Sequence, residues 1–254
     1  MGEIITAHDK LTNRQDFWWL MPLMILIGGV VATVYLLWAA LQGEHYSFGP
    51  YLSPVYASPY VPDWWPLSPA FLLLWIPAGF RATCYYGRKV YHRVAFGDPA
   101  ACAVEEPYRK NYSGESKLPF ILNNLHRYFL YFALILLALH WFELIASVRH
   151  YLGLGTLILL VDTLALTFYV GGCHSLRHLI GGGKRSLTGY DASSCAGCTK
   201  KCGKIRHGLW ARVSGFNAFH NVWFWVSLFS ICLADLYIRL LSMNVISFDP
   251  HIIF

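Results

Sequence analysis

The stretch LGLGTLILLVDTLALTFYVGGCHSLRHL (residues 152–179) joins a long apolar run to a cluster of reactive side chains. The run is longer than the roughly 20 residues that a helix needs to cross the hydrocarbon core of a bilayer. Cys173, His174, Arg177 and His178 follow within two helical turns, where the run ends. Because ionisable groups inside a membrane are costly, they mark a functional site by default. We interpret the segment as a membrane span with such a site at one end.

The composition of the whole chain indicates a membrane protein. Of 254 residues, 56% are hydrophobic and 13% are charged, whereas soluble domains carry about 25% charged residues. The sequence predicts an all-α, polytopic fold, a bundle of five transmembrane helices, with no nucleic-acid partner. The five apolar segments are roughly 18–41, 67–86, 120–148, 152–179 and 210–243.

The distribution of basic residues predicts the orientation of the bundle. With the N-terminus in the cytoplasm, every Lys and Arg except Arg149 and Arg239 falls on the cytoplasmic side or at its interface. This bias follows the positive-inside rule, and the basic face could meet anionic membrane lipid or an acidic partner subunit. The expected division is a cytoplasmic segment (1–17), a membrane domain (18–243, with an outer loop 42–66 and a cytoplasmic loop 181–208) and an outer tail (244–254).

This topology brings reactive side chains from distant parts of the chain to one side of the membrane. Cys84 lies near the end of the second span, and Cys102 follows in the next loop. His126 begins the third span, and His220 is expected about three turns into a long fifth helix. Since Cys173, His174 and His178 end the fourth span on the same side, we expect a single inner-face centre. Its seven candidate ligands are Cys84, Cys102, His126, Cys173, His174, His178 and His220.

Thiolates and imidazoles together are typical ligands of zinc and of iron–sulfur clusters. Two Cys and two His would suit a Rieske-type [2Fe–2S] centre, whose imidazole ligands raise its potential. Alternatively, His126 with His220 or His178 could bind a haem b between facing helices. Nearby side chains could contact a quinone, and the candidates are His126, His220, Arg81 and Tyr86.

A second cysteine group lies in the basic loop that follows the fourth span. SSCAGCTKKCGKIRHG (193–208) contains Cys195, Cys198, Cys202 and His207, in the order C-x2-C-x3-C followed by His. Such spacing is typical of a small zinc site. A disulfide is less expected, because the loop would face a reducing compartment. We interpret the loop as a possible separate metal site outside the electron path.

Six blocks of this sequence, in order, resemble the single-chain membrane anchor of type F succinate dehydrogenases (complex II). The similarity extends from about residue 40 to residue 240. The blocks are YLSPVYASPY (51–60), RATCYYGRKVYHR (81–93), DPAACAVEEP (98–107), LNNLHRYFLY (122–131), GCHSLRHLIGG (172–182) and NAFH (217–220).

The resemblance implies a five-helix anchor in the bacterial inner membrane that docks an iron–sulfur subunit, itself bound to an FAD-containing flavoprotein. It also implies menaquinone as electron acceptor and a Rieske-type [2Fe–2S] centre in the membrane, with four ligands among the seven candidates. The enzyme would be the assembled respiratory complex of the tricarboxylic acid cycle, since the isolated chain would catalyse nothing. A small extra membrane subunit and a higher oligomer are compatible with such a complex.

Two other functions remain open on the residues alone. The chain could be a haem b cytochrome subunit of another quinone-linked oxidoreductase, because histidines occur on facing helices. It could also be a non-redox membrane scaffold stabilised by zinc at the 195–207 loop. A carrier is disfavoured because its polar groups would gather at the midplane of two matching halves, a symmetry that this sequence lacks.

Overall fold

The structure is a computed structural model that describes residues 17, 20–56, 61–62, 64–87, 90, 118, 120–181, 200–247 and 249–253. These residues form a mainly helical bundle, as the sequence predicts. Short strands occur only where helices connect or the described chain ends. The helices are α1 (Leu20–Gln42), α2 (Ala70–Ala82), α3 (His126–His150), α4 (Leu154–Gly171), α5 (His174–Gly181), α6 (Lys200–Ala218) and α7 (His220–Ser242), and a 3-10 helix (Phe120–Leu125) precedes α3.

Four of the described helices, α1, α3, α4 and α7, are long and apolar enough to cross a membrane. The expected second span corresponds to α2, which has 13 residues and is about 20 Å long at roughly 1.5 Å per residue. Pro69 precedes α2, and Pro77 lies within it. Helical structure resumes at 85–87 after a break at Thr83 and Cys84. The prediction of a helical membrane protein is confirmed. Among the described residues, four helices are long enough to cross a membrane, and α2 is shorter than such a span requires.

The bundle has two distinct ends. At the first, which we call the Cys/His end, α2 and α4 end while α3 and α7 begin. At the other, which we call the opposite end, α1, α3 and α7 end and two antiparallel strand pairs form. The hairpin β1 (Ser47–Phe48) and β2 (Tyr51–Leu52) is the first pair, and β3 (Tyr151–Gly153) with the distant β4 (His251–Ile253) is the second.

The structure breaks two helices that the sequence predicts as continuous. The expected span 152–179 stops at Gly171 and restarts as α5 at His174. The break is possible because Gly172 lies against the next segment, where an added Cβ would be only 3.0 Å from the carbonyl oxygen of Phe216. The Asn217 side-chain amide donates to the Gly172 carbonyl oxygen at 2.7 Å, which satisfies one of the acceptors that a helix end exposes.

The predicted fifth helix, 210–243, is likewise wrong as a single element. It consists of α6 and α7, separated at Phe219, whose φ of −107° and ψ of 18° are not helical. His220 is therefore the first residue of α7 and does not lie three turns inside a helix. Since α6 begins at Lys200, the expected loop 181–208 is also helical over its last part.

The main hydrophobic core lies beside the Cys/His end. It contains side chains from α2, α3, α4 and α7, among them Phe80, Leu130, Tyr169 and Phe224, and it includes the buried thiol of Cys173. Contact between α2 and α3 is close at Gly79, where a Cβ would overlap the Phe129 ring. The reactive side chains at this end are therefore held by a well-packed core.

Candidate functional site

Two thiols and two imidazoles meet at the Cys/His end of the bundle. His126 Nε2 lies 3.2 Å from Cys173 Sγ, and His220 Nε2 lies 3.5 Å from Cys84 Sγ. All four side chains are buried, with exposures between 0% and 8%. The expected convergence is thus found for four of the seven candidates, which come from four separate segments of the chain.

Helix breaks position these four side chains. Cys84 and Cys173 each follow the end of a helix, whereas His126 and His220 are the first residues of α3 and α7. A side chain at a helix end can point along the helix axis toward a neighbouring terminus, which is more difficult from a helix interior. The glycine pair 171–172 and the Phe219 break therefore account for the meeting of thiols and imidazoles.

Hydrogen bonding determines the tautomer of His126. The Thr83 hydroxyl donates its single proton to the Gly79 carbonyl oxygen at 2.6 Å, so it accepts from His126 Nδ1 at 3.1 Å. Nε2 then carries the lone pair and accepts the weak S–H donor of Cys173. Metal-ligating histidines are oriented in this way, with one ring nitrogen donating to a fixed acceptor and the other facing the ligand.

Aromatic rings hold both imidazoles in place. The His126 ring stacks on Phe80 with centroids 4.6 Å apart, and the His220 ring stacks on Tyr169 at 5.0 Å. Tyr169 also packs edge-on against Phe80 at 5.4 Å. The two thiol–imidazole pairs therefore share one aromatic wall, which restricts the rotation of both rings.

Some polar atoms at this site lack partners. Among the described residues, His220 Nδ1 and the Tyr169 hydroxyl are buried without a hydrogen-bond partner. Buried groups that remain unsatisfied call for an explanation such as a bound ion or cofactor.

The donor set fits a binuclear group better than a single ion. In the part of the chain that the structure describes, no three His, Cys, Asp or Glu side chains gather closely enough to hold one metal ion. The donors are two thiols and two imidazoles within one buried group. In a Rieske-type [2Fe–2S] cluster two thiolates would bind one iron and two imidazoles the other, so the set fits such a cluster by the number and type of its donors.

The remaining metal candidates that the structure describes, His174, His178 and His207, are not part of this buried group. His174 and His178 lie on one face of α5, as their spacing predicts, but both are exposed, and their Nε2 atoms are 3.0 Å apart. In the second cysteine group, His207 lies in α6 and stacks on Trp210. The candidates outside the described residues are Cys102, Cys195, Cys198 and the side chain of Cys202.

An apolar cavity of about 650 Å³ lies between α1, α2, α3, α4 and α7. Ligand pockets commonly have roughly 300–1,000 Å³. Arg81 lines the cavity; it donates to the Phe224 carbonyl oxygen at 2.7 Å and to Ser227 Oγ at 2.9 Å. Its guanidinium also lies 4.6 Å from the centroid of the Tyr169 ring. Tyr86 accepts a hydrogen bond from Trp225 Nε1 at 3.3 Å.

Charged groups at the opposite end of the bundle are paired. Asp235 is fully buried and accepts hydrogen bonds from Tyr35 at 2.6 Å and from Ser53 at 2.5 Å. It also lies 3.3 Å from Arg239 Nε, and Arg239 Nη1 donates to the Glu44 carbonyl oxygen at 2.9 Å. The buried charges of Asp235 and Arg239 therefore neutralise each other.

Sequence reasoning missed two residues of the site. Thr83 directly precedes Cys84, but a threonine in a membrane segment is commonly a packing residue. Tyr169 was not singled out, although it lies four residues before Cys173 and such spacing puts two side chains on one helix face. Their roles depend on contacts with other helices, which no pattern within one segment reports.

Comparison with known proteins identifies the family. The model of the family described as actinobacterial succinate dehydrogenase subunit SdhC matches residues 20–244. A chain in the structure of the Mycobacterium smegmatis Sdh1 complex in the apo form is similar to this chain with a TM-score of 0.78 and 31% sequence identity. The similarity covers 94% of each chain. No curated protein matches significantly. The shared fold and sequence show that this chain belongs to the actinobacterial SdhC family, the membrane subunits of succinate dehydrogenase.

Proposed function

We propose that this subunit carries electrons from an iron–sulfur partner to menaquinone through a [2Fe–2S] centre ligated by Cys84, Cys173, His126 and His220. As an SdhC-family protein it is a membrane anchor in an oxidoreductase complex with other complex II subunits. The observation that carries the finer proposal is the convergence of two buried thiol–imidazole pairs, at 3.2 Å and 3.5 Å. In the assembled enzyme, the iron–sulfur subunit would receive its electrons from a flavoprotein that oxidises succinate.

The contacts of the four side chains favour such a centre over the alternatives. When bound, a [2Fe–2S] group accepts and releases one electron at a time, and imidazole ligation keeps its potential high enough to serve a quinone. Each imidazole faces a thiol and stacks on an aromatic ring, whereas a haem b would need two imidazoles on opposite faces of its plane. The pairing of donors also disfavours a single zinc ion.

The chain itself supplies orientation, burial and proton control. Thr83 holds the His126 ring with Nε2 facing Cys173. Thiols bind iron as thiolates, so binding of the cluster must release the thiol protons of Cys84 and Cys173. Phe80 and Tyr169 exclude water from the pairs, which favours electron transfer over side reactions with solvent.

We place the quinone in the apolar cavity beside Arg81. A guanidinium has five N–H donors, and two of them are engaged by Phe224 and Ser227, so others can donate to a quinone carbonyl oxygen. The apolar lining suits an isoprenoid quinone that enters from the lipid. Of the four sequence-based quinone candidates, Arg81 has the strongest support, while His126 and His220 are assigned to the metal centre.

For the topology, we propose five spans with a cytoplasmic N-terminus and with the Cys/His end facing the cytoplasm. In addition to the four long helices α1, α3, α4 and α7, α2 together with the helical residues 85–87 would form a span, the second along the chain. The positive-inside bias supports this orientation, and it places the Cys/His end where a soluble succinate-oxidising partner can dock. Labelling of single introduced cysteines by a membrane-impermeant reagent in intact cells would test it. Labelling is expected in the loop 42–66 and the tail 244–254, and not in the segments 1–17 and 181–208.

The decisive experiment is iron and acid-labile sulfide analysis of the whole purified complex, with paramagnetic resonance spectra. Cys84→Ser and Cys173→Ser should each lose the equivalent of one [2Fe–2S] cluster and the associated low-g signal. Cys232→Ser, a change at a partly buried cysteine of α7, is the matched control and should retain both. Unchanged iron and sulfide in the two test variants would contradict the proposal.

A second variant covers the case in which loss of the centre prevents assembly. His126→Cys should keep the iron but lower the midpoint potential, because thiolate ligation lowers the potential of such clusters. A sharp haem b band in the reduced-minus-oxidised spectrum that His126→Cys abolishes would instead support the haem alternative.

A further inference from the structure

Ionisable side chains also lie in the membrane interior, away from the metal centre. Glu143 and His140 occupy α3, and Asp162 occupies α4. His140 is about 21 Å along α3 from His126 at roughly 1.5 Å per residue, so it lies far from the four ligands. Because ionisable groups at this depth are costly unless paired or functional, their arrangement requires an explanation.

The three groups form a graded series from the surface of the bundle inward. Glu143 Oε2 lies 3.6 Å from His140 Nδ1, and the two side chains are 28% and 11% exposed. Asp162 is 1% exposed and accepts a hydrogen bond from Ser230 Oγ at 2.5 Å. His140 and Arg81 both lie within electrostatic range of the Asp162 carboxylate. Exposure therefore falls from Glu143 through His140 to Asp162.

This series borders the cavity that we assign to the quinone. Among the described residues, Arg81 and His140 are the two basic side chains that line the cavity. On the same wall, Ser230 Oγ on α7 lies 3.2 Å from the Ser227 carbonyl oxygen, and Arg81 donates to Ser227 Oγ at 2.9 Å. A quinone ring between Arg81 and His140 would thus have a donor available for each carbonyl oxygen.

We propose that Glu143 and His140 form a proton path that supplies the quinone in this cavity, with Asp162 as a positioning residue for His140. The proposal rests on the proposed function. Reduction of a quinone to a quinol consumes two electrons, which arrive from the iron–sulfur partner, and two protons. One proton passes from His140 to the quinone oxygen that it faces, where an O–H bond forms, and His140 is reprotonated by Glu143, which takes its proton from water at the opposite end of the bundle. The quinone oxygen beside Arg81 takes the second proton from water.

The groups that face this path are few. His140 faces Glu143 on its own helix and Asp162 on α4. Asp162 faces Ser230 on α7 and Arg81 on α2, and Cys232 on α7 also lies within its electrostatic range. The Asp162 charge acts chiefly on His140 and Arg81.

The test compares quinone reduction and dye reduction in the whole complex for three variants, His140→Gln, Glu143→Gln and Asp162→Asn. His140→Gln should lower succinate:menaquinone reduction on the order of 10²-fold, the usual contribution of a positioned proton donor. It should also enlarge the solvent deuterium isotope effect. Glu143→Gln should cause a smaller loss that added small weak acids partly restore. Asp162→Asn should cause an intermediate loss and also enlarge the isotope effect, because His140 is held less firmly toward the quinone.

The matched control is Thr163→Val. Thr163 is adjacent to Asp162 and buried, and its hydroxyl donates to Leu159 of its own helix at 2.8 Å. This variant, like the three test variants, should keep the iron content and the succinate:dye activity of the native complex. Native rates of quinone reduction and an unchanged isotope effect in His140→Gln would overturn the proton path.

The outcomes separate this inference from the proposed function. If Cys84→Ser retains its iron, or if the native complex does not reduce menaquinone, the proposed function fails and the proton path fails with it. If Cys84→Ser behaves as expected but His140→Gln and Glu143→Gln both match the native complex, only the proton path fails. Should Asp162→Asn not assemble, Glu143→Gln still decides, because the Glu143 side chain is partly exposed and the replacement preserves its size.

Discussion

The two ends of the bundle bury polar groups in different ways. At the opposite end, the Asp235 carboxylate has three donors, Tyr35, Ser53 and Arg239. At the Cys/His end, each imidazole meets one thiol, a weak donor, and His220 Nδ1 and the Tyr169 hydroxyl make no further hydrogen bond among the described residues. The hydroxyls of Ser68 and Ser147 at the opposite end also lack partners. The buried charges of that end, Asp235 and Arg239, nevertheless lie in a closed network, and the thiols and imidazoles of the Cys/His end do not.

This difference distinguishes polar groups that are buried to stabilise the fold from polar groups that are buried to bind a ligand. A buried charge with complete hydrogen bonding stabilises one arrangement of helices and has no bonding capacity for a ligand. A buried thiol or imidazole whose hydrogen bonding is incomplete can still bind a ligand. The missing hydrogen bonds cost stability, which a bound metal centre would offset. Removing single partners at each end should therefore produce effects of different kinds.

The largest expected effect is on stability at the opposite end. Arg239→Met should leave the Asp235 carboxylate buried without its counter-charge and lower the free energy of unfolding by about 3–5 kcal/mol. Thermal unfolding of the purified complex measures it. The double variant with Asp235→Asn should recover much of the loss, because both charges are then absent. If Arg239→Met is as stable as the native protein, the Asp235–Arg239 pair does not stabilise the fold and the prediction is wrong.

An intermediate effect is expected at the Cys/His end, on metal binding. Thr83→Val removes the acceptor for His126 Nδ1 and allows the ring to turn, so the affinity for the metal centre should fall roughly 10- to 100-fold. Iron retained after a timed chelator challenge of the complex measures it, and Thr163→Val is the control. Equal iron loss in both variants would contradict a role for Thr83 in orienting the ring.

The smallest expected effect is the loss of one of two hydrogen bonds to the same carboxylate. Tyr51 donates to Asp249 at 2.7 Å, and Tyr237 donates to the same carboxylate at 2.6 Å. Tyr51→Phe should therefore cost about 1 kcal/mol, the usual value for one hydrogen bond, in thermal unfolding of the complex. Iron content and quinone reduction should stay native, and a loss of iron would show that the two ends are coupled.

Much of the fold follows from local properties of the sequence. Long apolar runs predict membrane helices because backbone groups in lipid must be satisfied within the segment, and α1, α3, α4 and α7 have the expected character. The meeting of Cys84, His126, Cys173 and His220 was also predictable, because antiparallel spans return to the same side of a membrane. Periodicity along one segment is sufficient for such inferences.

The helix breaks were not predictable in this way. A glycine pair at 171–172 is tolerated within a membrane helix, and no residue near Phe219 is a helix breaker such as proline. The breaks arise because α4 and α6 approach closely at Gly172 and because Asn217 satisfies its carbonyl oxygen. These contacts join residues about 45 positions apart, so a single segment contains no sign of them.

The sequence by itself determined a helical membrane subunit with its thiols and imidazoles at one end, since hydrophobicity and the positions of reactive residues are local properties. The tertiary structure decided which four of those side chains are buried in pairs, that Thr83 sets the His126 tautomer, and that Arg81 and His140 border one cavity. The physical reason is that hydrogen bonds and packing between helices depend on distances in space, which residue order does not specify.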